Sequence, residues 1–275
     1  GVTVDAKRSP WLLDILPIRS TTSNLITWVE NQSTEGAPTS VSESGVFPQT
    51  DYDFIRRTLT IEKVATYGKV TREMVEDADQ LVSYIEGELL YDLKLVVDGL
   101  LLTGNGSTPN ISGLTTLATA FAVPGSYAFE SGVNATEIDV LRAAIAQIDI
   151  AHYSANAILM NPTDIMKMDL AKDKNYNYVT APFATNGNRV VSGIPVYSNT
   201  GITAGYFLVL DTNKTPVYFK RGFELKLWEQ NSTDPQYDLM TITASCRMAL
   251  RFKNAERKAA VYGNFATGIA ALETT

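Results

Sequence analysis

Residues 158–178, ILMNPTDIMKMDLAKDKNYNY, combine a short apolar run, a helix-start motif and a polar segment rich in tyrosine. Asn161 precedes Pro162, and Asp164 follows three residues after Asn161. Asparagine favours the N-cap of a helix, proline favours its first position, and a carboxylate stabilises its first turn. The stretch therefore predicts a buried strand at 157–160 followed by a helix that starts at Pro162.

Apolar segments on both sides of this stretch extend the same pattern. Asn134 and Glu137 stand at capping-box spacing before an apolar stripe at 138–148, which predicts a helix. Two further apolar runs, 194–197 and 206–210, have the length and composition of buried strands. Together these elements predict a small α/β unit over residues 134–217.

Two long elements are predicted outside this unit. Between Thr71 and Thr103, apolar residues recur at spacings of three and four, which predicts a helix about 45–50 Å long. Residues 240–252 alternate strictly between inward and outward types, and residues 218–228 also alternate. The longer run predicts an antiparallel strand of about 40 Å, close to the helix in length.

The N-terminal quarter is predicted to contain little packed structure. Residues 1–25 show no sustained period and indicate an extended arm, and strands at 25–30 and 54–64 are placed to pair as a hairpin. The segment 31–53 between them contains four acidic residues and no lysine or arginine. A connection of this length cannot pack against itself, so we expect a surface outside it to order it.

Composition excludes several classes of protein. The 275-residue chain is 45% hydrophobic with a net charge of −7, which opposes global disorder and broad attraction to nucleic acid. No apolar run reaches the roughly 18 residues that a membrane-spanning helix needs. A local excess of basic residues near the C-terminus, including Arg247, Arg251 and Lys253, is interpreted as a solvated or subunit-facing edge.

Catalytic and metal-binding patterns are missing from the sequence. Cys246 and His152 are the only cysteine and histidine, so neither a disulfide nor a multi-histidine metal site is possible. Asp164 and Asp169 are five residues apart and do not share a helical face. We expect His152 to close a helix that ends near Ala151, and we expect no cofactor. A small hydrolase that uses His152 is kept as an alternative that predicts monomers.

Four stretches, in this order along the chain, carry a resemblance to a known family. They are LLTGNGSTPNISGL (101–114), ILMNPTDIMKMDLAKDKNYNY (158–178), VVSGIPVYSNTGITAGYFLVLD (190–211) and CRMALRFKNAERKAAVYG (246–263). With the long helix they cover almost the whole chain, which resembles the major capsid proteins of tailed double-stranded DNA phages with the Hong Kong 97 fold.

The resemblance implies an α+β fold with four parts. These are an N-terminal arm (1–30), an E-loop (31–58), a peripheral domain (59–133 and 218–275) that contains a spine helix at 72–103, and an axial domain (134–217). It implies a shell of hexamers and pentamers around a phage genome, located in the virion and assembled in the host bacterial cytoplasm. Implied partners are other copies, a portal, decoration proteins and DNA through weak contacts, but no membrane.

The resemblance also directs attention to subunit contacts. The expected contacts are the tyrosine-rich segment 173–192, and acidic E-loop residues docking on basic residues of a neighbour. The candidate residues are Tyr176 and Tyr178 in the first contact, and Glu35, Glu43, Asp51 and Asp53 against Arg247, Arg251 and Lys253 in the second. Some relatives cross-link subunits through an E-loop lysine, but residues 31–58 contain no lysine, which argues against that route here.

Two questions stay open at the level of sequence. An encapsulin-type shell, which encloses cargo enzymes instead of a genome, is an alternative within the same fold. Gly1 is expected to be either a boundary of the chosen segment or a terminus left by a maturation protease, and the resemblance favours processing.

Overall fold

The computed structural model describes residues 12–73, 79–129, 134–172, 178, 189–231 and 234–273. The helices are α1 (Leu12–Ile15), α2 (Asp79–Thr103), α3 (Leu114–Leu117), α4 (Glu137–Ile150), α5 (Pro162–Asp169) and α6 (Phe265–Glu273). The strands are β1 (Ile18–Ser20), β2 (Leu25–Glu35), β3 (Asp51–Thr60), β4 (Glu62–Thr71), β5 (Thr119–Ala120), β6 (Ala157–Met160), β7 (Val190–Val191), β8 (Ile194–Ser198), β9 (Tyr206–Leu210), β10 (Val217–Trp228), β11 (Leu239–Leu250) and β12 (Ala260–Asn264).

A four-stranded sheet in the order β1-β10-β11-β4 packs against helix α2. Because strand side chains alternate, β11 turns one set of residues, including Ala244, Cys246 and Met248, into a core with Val97 and Leu101 of α2. On the other face of β11, Thr243, Ser245 and Arg247 are partly exposed. The alternation read from the sequence thus predicted both the long strand and the face that it buries.

Helix α2 is the predicted spine helix, and its described length of 25 residues corresponds to about 37 Å. Residues 74–78 lie outside the described residues. The helix ends before Gly104, where a side chain would place Cβ 2.2 Å from the carbonyl oxygen of Ile111, so only glycine fits. Near its C-terminal end, the buried Asp98 carboxylate accepts a 2.9 Å hydrogen bond from the amide of Leu12 and ties α1 to the helix.

A six-stranded sheet in the order β5-β12-β9-β6-β8-β7 forms the second half of the core. Strand β6 is entirely buried, pairing antiparallel with β9 and parallel with β8. Helices α4 and α6 pack together against β12. Residues 260–273, which the resemblance assigned to the peripheral domain, therefore pack with the expected axial domain, because β12 pairs with β9 rather than with the four-stranded sheet.

The helix termini test the capping predictions. Asn161 caps α5 as expected: its side-chain oxygen accepts a 3.0 Å hydrogen bond from the amide of Thr163. The sequence predicted the capping box of α4 two residues too early, with Asn134 rather than Thr136 as its first residue. The Asp139 carboxylate accepts a 2.8 Å bond from the amide of Thr136, whose extended backbone immediately precedes the helix. His152 follows that helix with a φ of 64°, and its amide bonds to the carbonyl of Asp149, in keeping with a helix-closing role.

Strands β2 and β3 pair with each other as a separate two-stranded sheet, as the sequence predicted. The pairing extends to Glu35 and Asp51, so the unpaired connection shrinks to residues 36–50. The predicted strand at 54–64 is divided at Ile61, beyond which β4 joins the four-stranded sheet. Residues 25–60 are called the hairpin below, and the two larger sheets with their helices are called the body. Among the described residues, no helix has both the length and the apolar character needed to span a membrane.

Candidate assembly interface

The hairpin has two chemically different faces. Residues that pair across an antiparallel ladder point to the same side, and successive residues along a strand point to opposite sides. Asp51 and Asp53 of β3 therefore share a face with Glu35 of β2. Tyr52 and Phe54 occupy the other face. The hairpin thus has an acidic face and an apolar face.

The apolar face has no cover within the described structure. Val29, Tyr52 and Phe54 are exposed, and the rings of Tyr52 and Phe54 stack at a centroid distance of 6.4 Å. At the tip, Val46 is 93% exposed and Phe47 is 84% exposed. Several large apolar side chains exposed on one segment of a folded protein indicate an interaction site.

The four predicted acidic residues all lie exposed on the hairpin or its tip. Glu35 and Asp51 are direct cross-strand partners, and like charges in that arrangement repel. No lysine or arginine occurs between residues 31 and 55 to neutralise them. Cations from another surface would therefore relieve an unfavourable charge pairing.

The three basic residues that were predicted to bind the acidic residues of the hairpin have different surroundings in the structure. The guanidinium of Arg251 lies 5.3 Å from the ring centroid of Tyr218, and the Nζ of Lys253 lies 3.3 Å from a carboxylate oxygen of Glu256. Both cations thus already have partners within the subunit. The Nε atoms of Arg247 and Arg251 are both buried without a hydrogen-bond partner among the described residues, but Arg247 has neither an ion pair nor an aromatic contact there.

Arg247 forms part of a basic row that sequence reasoning did not find. In the strand register, Lys63 of β4 and Arg221 of β10 flank Arg247 of β11. This places three cations side by side across three strands, on the sheet face opposite α2. The charges are far apart in sequence, and only the alternation within each strand hinted that they face the same way.

Two members of the basic row, Lys63 and Arg221, line a groove of about 430 Å³ on this face of the sheet. Its lining combines small side chains, such as those of Thr243 and Ser245, with long ones. Lys226 and Arg221 lie 3.6 and 3.5 Å from Glu224, which partly neutralises that side. The lining residues are Lys63, Ala65, Thr66, Tyr67, Arg221, Lys226, Trp228, Asn231, Thr241, Thr243 and Ser245.

The tyrosine-rich segment is only partly described. Tyr178 is exposed, and the Nζ of Lys172 lies 4.7 Å from its ring centroid. Tyr176 lies outside the described residues, as does most of the segment 173–192.

The side chains of Cys246, Asp164 and Lys167 are engaged in packing or hydrogen bonds within the subunit. Cys246 is buried in the core, and burial raises the pKa of its thiol to about 11. The Asp164 carboxylate accepts hydrogen bonds from the Gly205 amide at 2.5 Å and from Lys167 Nζ at 2.8 Å. The hydrogen bond to Asp164 raises the pKa of Lys167. In the part of the chain that the structure describes, no three His, Cys, Asp or Glu side chains are grouped as metal ligands.

Comparison with known proteins matches this architecture. The chain is 26% identical over 272 residues to the major capsid protein of Enterobacteria phage HK97, covering 98% of this chain and 68% of that protein. A structure from Mycobacterium phage Bobi superposes with a TM-score of 0.73 at 18% identity, covering 95% of this chain and 92% of that one. The capsid of an empty GTA particle gives a TM-score of 0.77 at 15% identity, covering 96% and 92%. The family model described as "Phage capsid family" matches residues 3–265, so the protein belongs to the phage capsid family and is a structural shell protein rather than an enzyme.

Proposed function

We propose that copies of this protein assemble into hexamers and pentamers that close an icosahedral shell around a double-stranded DNA phage genome. The observation that carries the proposal is the uncovered hairpin, whose apolar face and tip have no partner among the described residues. The shell would form in the cytoplasm of a host bacterium and persist in the virion. A portal and decoration proteins would complete it, and DNA would contact it weakly.

The hairpin needs a neighbour on energetic grounds. A two-stranded sheet is marginally stable by itself in water, and ordering each residue of its tip costs about 1–2 kcal/mol. Covering a side chain as large as Phe54 recovers about 1.5–3 kcal/mol. Contact with another copy therefore recovers part of the cost of ordering the hairpin, whose apolar face the body does not cover.

The charges of the hairpin and of the basic row are complementary. Residues 31–55 carry four acidic and no basic side chains, a net charge of −4, while the basic row carries three positive charges. We propose that the acidic face of one hairpin docks on the basic row of the next subunit, with Arg247 at the centre. Complementary charges mainly orient subunits and speed their association.

This arrangement favours closed rings. The hairpin and the basic row are different surfaces of one chain, so the contact between copies is heterologous. Heterologous contacts close into rings when the rotation between copies allows, which is the geometry that a capsomer requires. Because residues 31–58 contain no lysine, the proposed contact does not involve a cross-link through an E-loop lysine.

Sedimentation and electron microscopy of the purified full chain test the proposal. We expect capsomers or closed shells far larger than the 30.1 kDa monomer. Monomers at every concentration would refute it. Shells purified from the native host that hold a cargo protein and no nucleic acid would support an encapsulin-type role instead.

Charge reversal tests the docking contact separately. Glu35→Lys combined with Glu43→Lys should lower the melting temperature of assembled shells but leave that of isolated subunits unchanged. Asp149→Lys is the control, because Asp149 is an exposed carboxylate outside the hairpin. Shells of unchanged thermal stability would count against electrostatic docking.

A further inference from the structure

The hairpin buries a carboxylate rather than an apolar side chain. Glu30 is 7% exposed and is the one fully buried residue of β2 and β3, both of which the structure describes completely. Burial of a carboxylate without hydrogen bonds or a countercharge is strongly unfavourable. Its partners therefore identify what keeps Glu30 in place.

Two hydrogen-bond donors and one cation lie against the Glu30 carboxylate. One oxygen, Oε1, accepts a 2.6 Å hydrogen bond from the indole Nε1 of Trp28 and a 3.0 Å bond from the backbone amide of Asn254. The other oxygen, Oε2, lies 3.7 Å from Nε of Arg57. Trp28 and Arg57 belong to the hairpin, whereas Asn254 belongs to the body. Glu30 thus joins the two parts.

Apolar packing at this junction is incomplete. A cleft of about 190 Å³ lies between the hairpin base and the body, lined in part by Trp28, Arg57, Leu250 and Phe252. The body residue that Glu30 contacts, Asn254, also lines this cleft. A joint with open space beside it permits the hairpin to tilt unless a directional contact prevents it. The Glu30–Asn254 hydrogen bond is such a contact.

We propose that Glu30 is the positioning residue that fixes the angle at which the hairpin leaves the body. Hydrogen bonds to a charged acceptor are directional and strong, so this contact holds one orientation where apolar packing would tolerate several. The consequence for assembly rests on the function proposed above. A hairpin held at one angle presents its two faces to the next subunit in one orientation.

The expected effect on assembly follows from the fraction of correctly oriented hairpins. Apparent affinity falls in proportion to the population of the competent state, so a drop to about one tenth weakens association about tenfold. Glu30→Ala removes both acceptor oxygens. Glu30→Gln keeps one acceptor oxygen for Trp28 and Asn254, and it should restore most of the association.

Distance measurement on unassembled full-length subunits tests the proposal directly. Spin labels at Ser33→Cys and Ser107→Cys report the separation between the hairpin and the body, since both positions are exposed. The native Cys246 is buried with a raised pKa and should resist labelling. We expect a narrow distribution in the wild type, a broad one for Glu30→Ala, and a narrow one for Glu30→Gln. Glu35→Ala, an exposed carboxylate on the same strand, should leave the distribution unchanged.

If the distance distribution of Glu30→Ala is as narrow as that of the wild type, the proposal is overturned, even if the melting temperature of the variant falls. Should Glu30→Ala fail to fold, Trp28→Phe provides a second test, because it removes only the indole donor. We expect that variant to broaden the distribution partially, and no broadening would overturn the proposal. Wild-type chains that never assemble would refute the shell function but leave this readout intact.

Discussion

The body and the hairpin of this protein distribute their residues in opposite ways. In the body, Leu101 of α2 and Met248 of β11 are both fully buried in the core between the helix and the sheet. In the hairpin, Phe54 and Phe47 are exposed, and the buried residue is the carboxylate of Glu30. The body thus buries its core within one chain, whereas the hairpin has the surface composition of a segment that another chain covers.

This difference separates stability from assembly. Residues of the body should control the free energy of unfolding of a single subunit, because their burial is intramolecular. Residues of the hairpin should control association and leave subunit unfolding almost unchanged. Four substitutions, taken from the largest expected effect on subunit stability to the smallest, test this division.

Leu101→Ala should have the largest effect. Leu101 lies on α2 and has no exposed surface, so the substitution leaves a cavity in the core beneath the four-stranded sheet. Truncation of a buried leucine costs about 2–5 kcal/mol. Denaturant unfolding of unassembled subunits should show that loss. A loss of less than about 2 kcal/mol in the free energy of unfolding would indicate that the helix packs loosely on the sheet.

Asn161→Ala should have an intermediate effect. The side chain caps α5 and also donates a 2.7 Å hydrogen bond to the carbonyl of Ile202. Loss of an N-cap costs about 0.5–2 kcal/mol. Thermal unfolding checks this prediction, and Asn161→Asp, which can still cap, should retain part of the stability.

Asp234→Asn should reveal a pH-dependent contribution at one end of the four-stranded sheet. Hydrogen bonds from Lys69 Nζ, at 2.5 Å, and from the Thr241 hydroxyl lower the pKa of Asp234 below its ordinary value of 3.8. A group with a lowered folded-state pKa stabilises the fold above its unfolded pKa and loses that effect as pH falls through the folded pKa. The melting temperature of Asp234→Asn subunits should therefore lie below that of the wild type at neutral pH.

The difference between Asp234→Asn and the wild type should shrink only below about pH 4. Asp238→Asn serves as the control, because Asp238 forms an exposed ion pair at 3.2 Å with Arg72. That control should change little at any pH, since exposed ion pairs contribute little. An Asp234 difference that stays constant down to strongly acidic pH would contradict the assignment.

Phe54→Ser should have the smallest effect on the subunit and a large effect on the shell. Substitutions at exposed sites usually change the free energy of unfolding by less than about 0.5 kcal/mol. Loss of the exposed ring should nevertheless reduce shell yield, which sedimentation measures. Ile150→Ser is the matched control, because Ile150 is an apolar residue as exposed as Phe54 but lies outside the hairpin and outside the segment 173–192. Equal yields for Phe54→Ser and the wild type would show that the apolar face is not the contact.

The sequence predicted features that depend on neighbours along the chain. The Asn161 cap and the long alternating strand β11 were identified correctly because capping and alternation are local patterns. The capping box of α4 was missed by two residues, since Asn134 and Thr136 are both good caps and only the backbone conformation decides between them. The resemblance to phage capsid proteins added the family, which the comparisons confirm.

Other features depended on which strands pair. Nothing in the residues 260–264 indicates that β12 joins β9, because strand pairing connects distant parts of the chain. The row of Lys63, Arg247 and Arg221 likewise exists only in the register of three strands. The predicted partners Arg251 and Lys253 were chosen by sequence proximity, and each has a contact within the subunit.

The amino-acid sequence alone determined the long helix, the long strand, the α/β unit and the acidic, lysine-free segment of this capsid protein. Each of these follows from spacing or composition within a short window, and local sterics and hydrogen bonding act over such windows. Only the tertiary structure decided the two faces of the hairpin, the basic row and the burial of Glu30. Those features arise from strand register and from contacts such as that between Glu30 and Asn254, which are 224 residues apart.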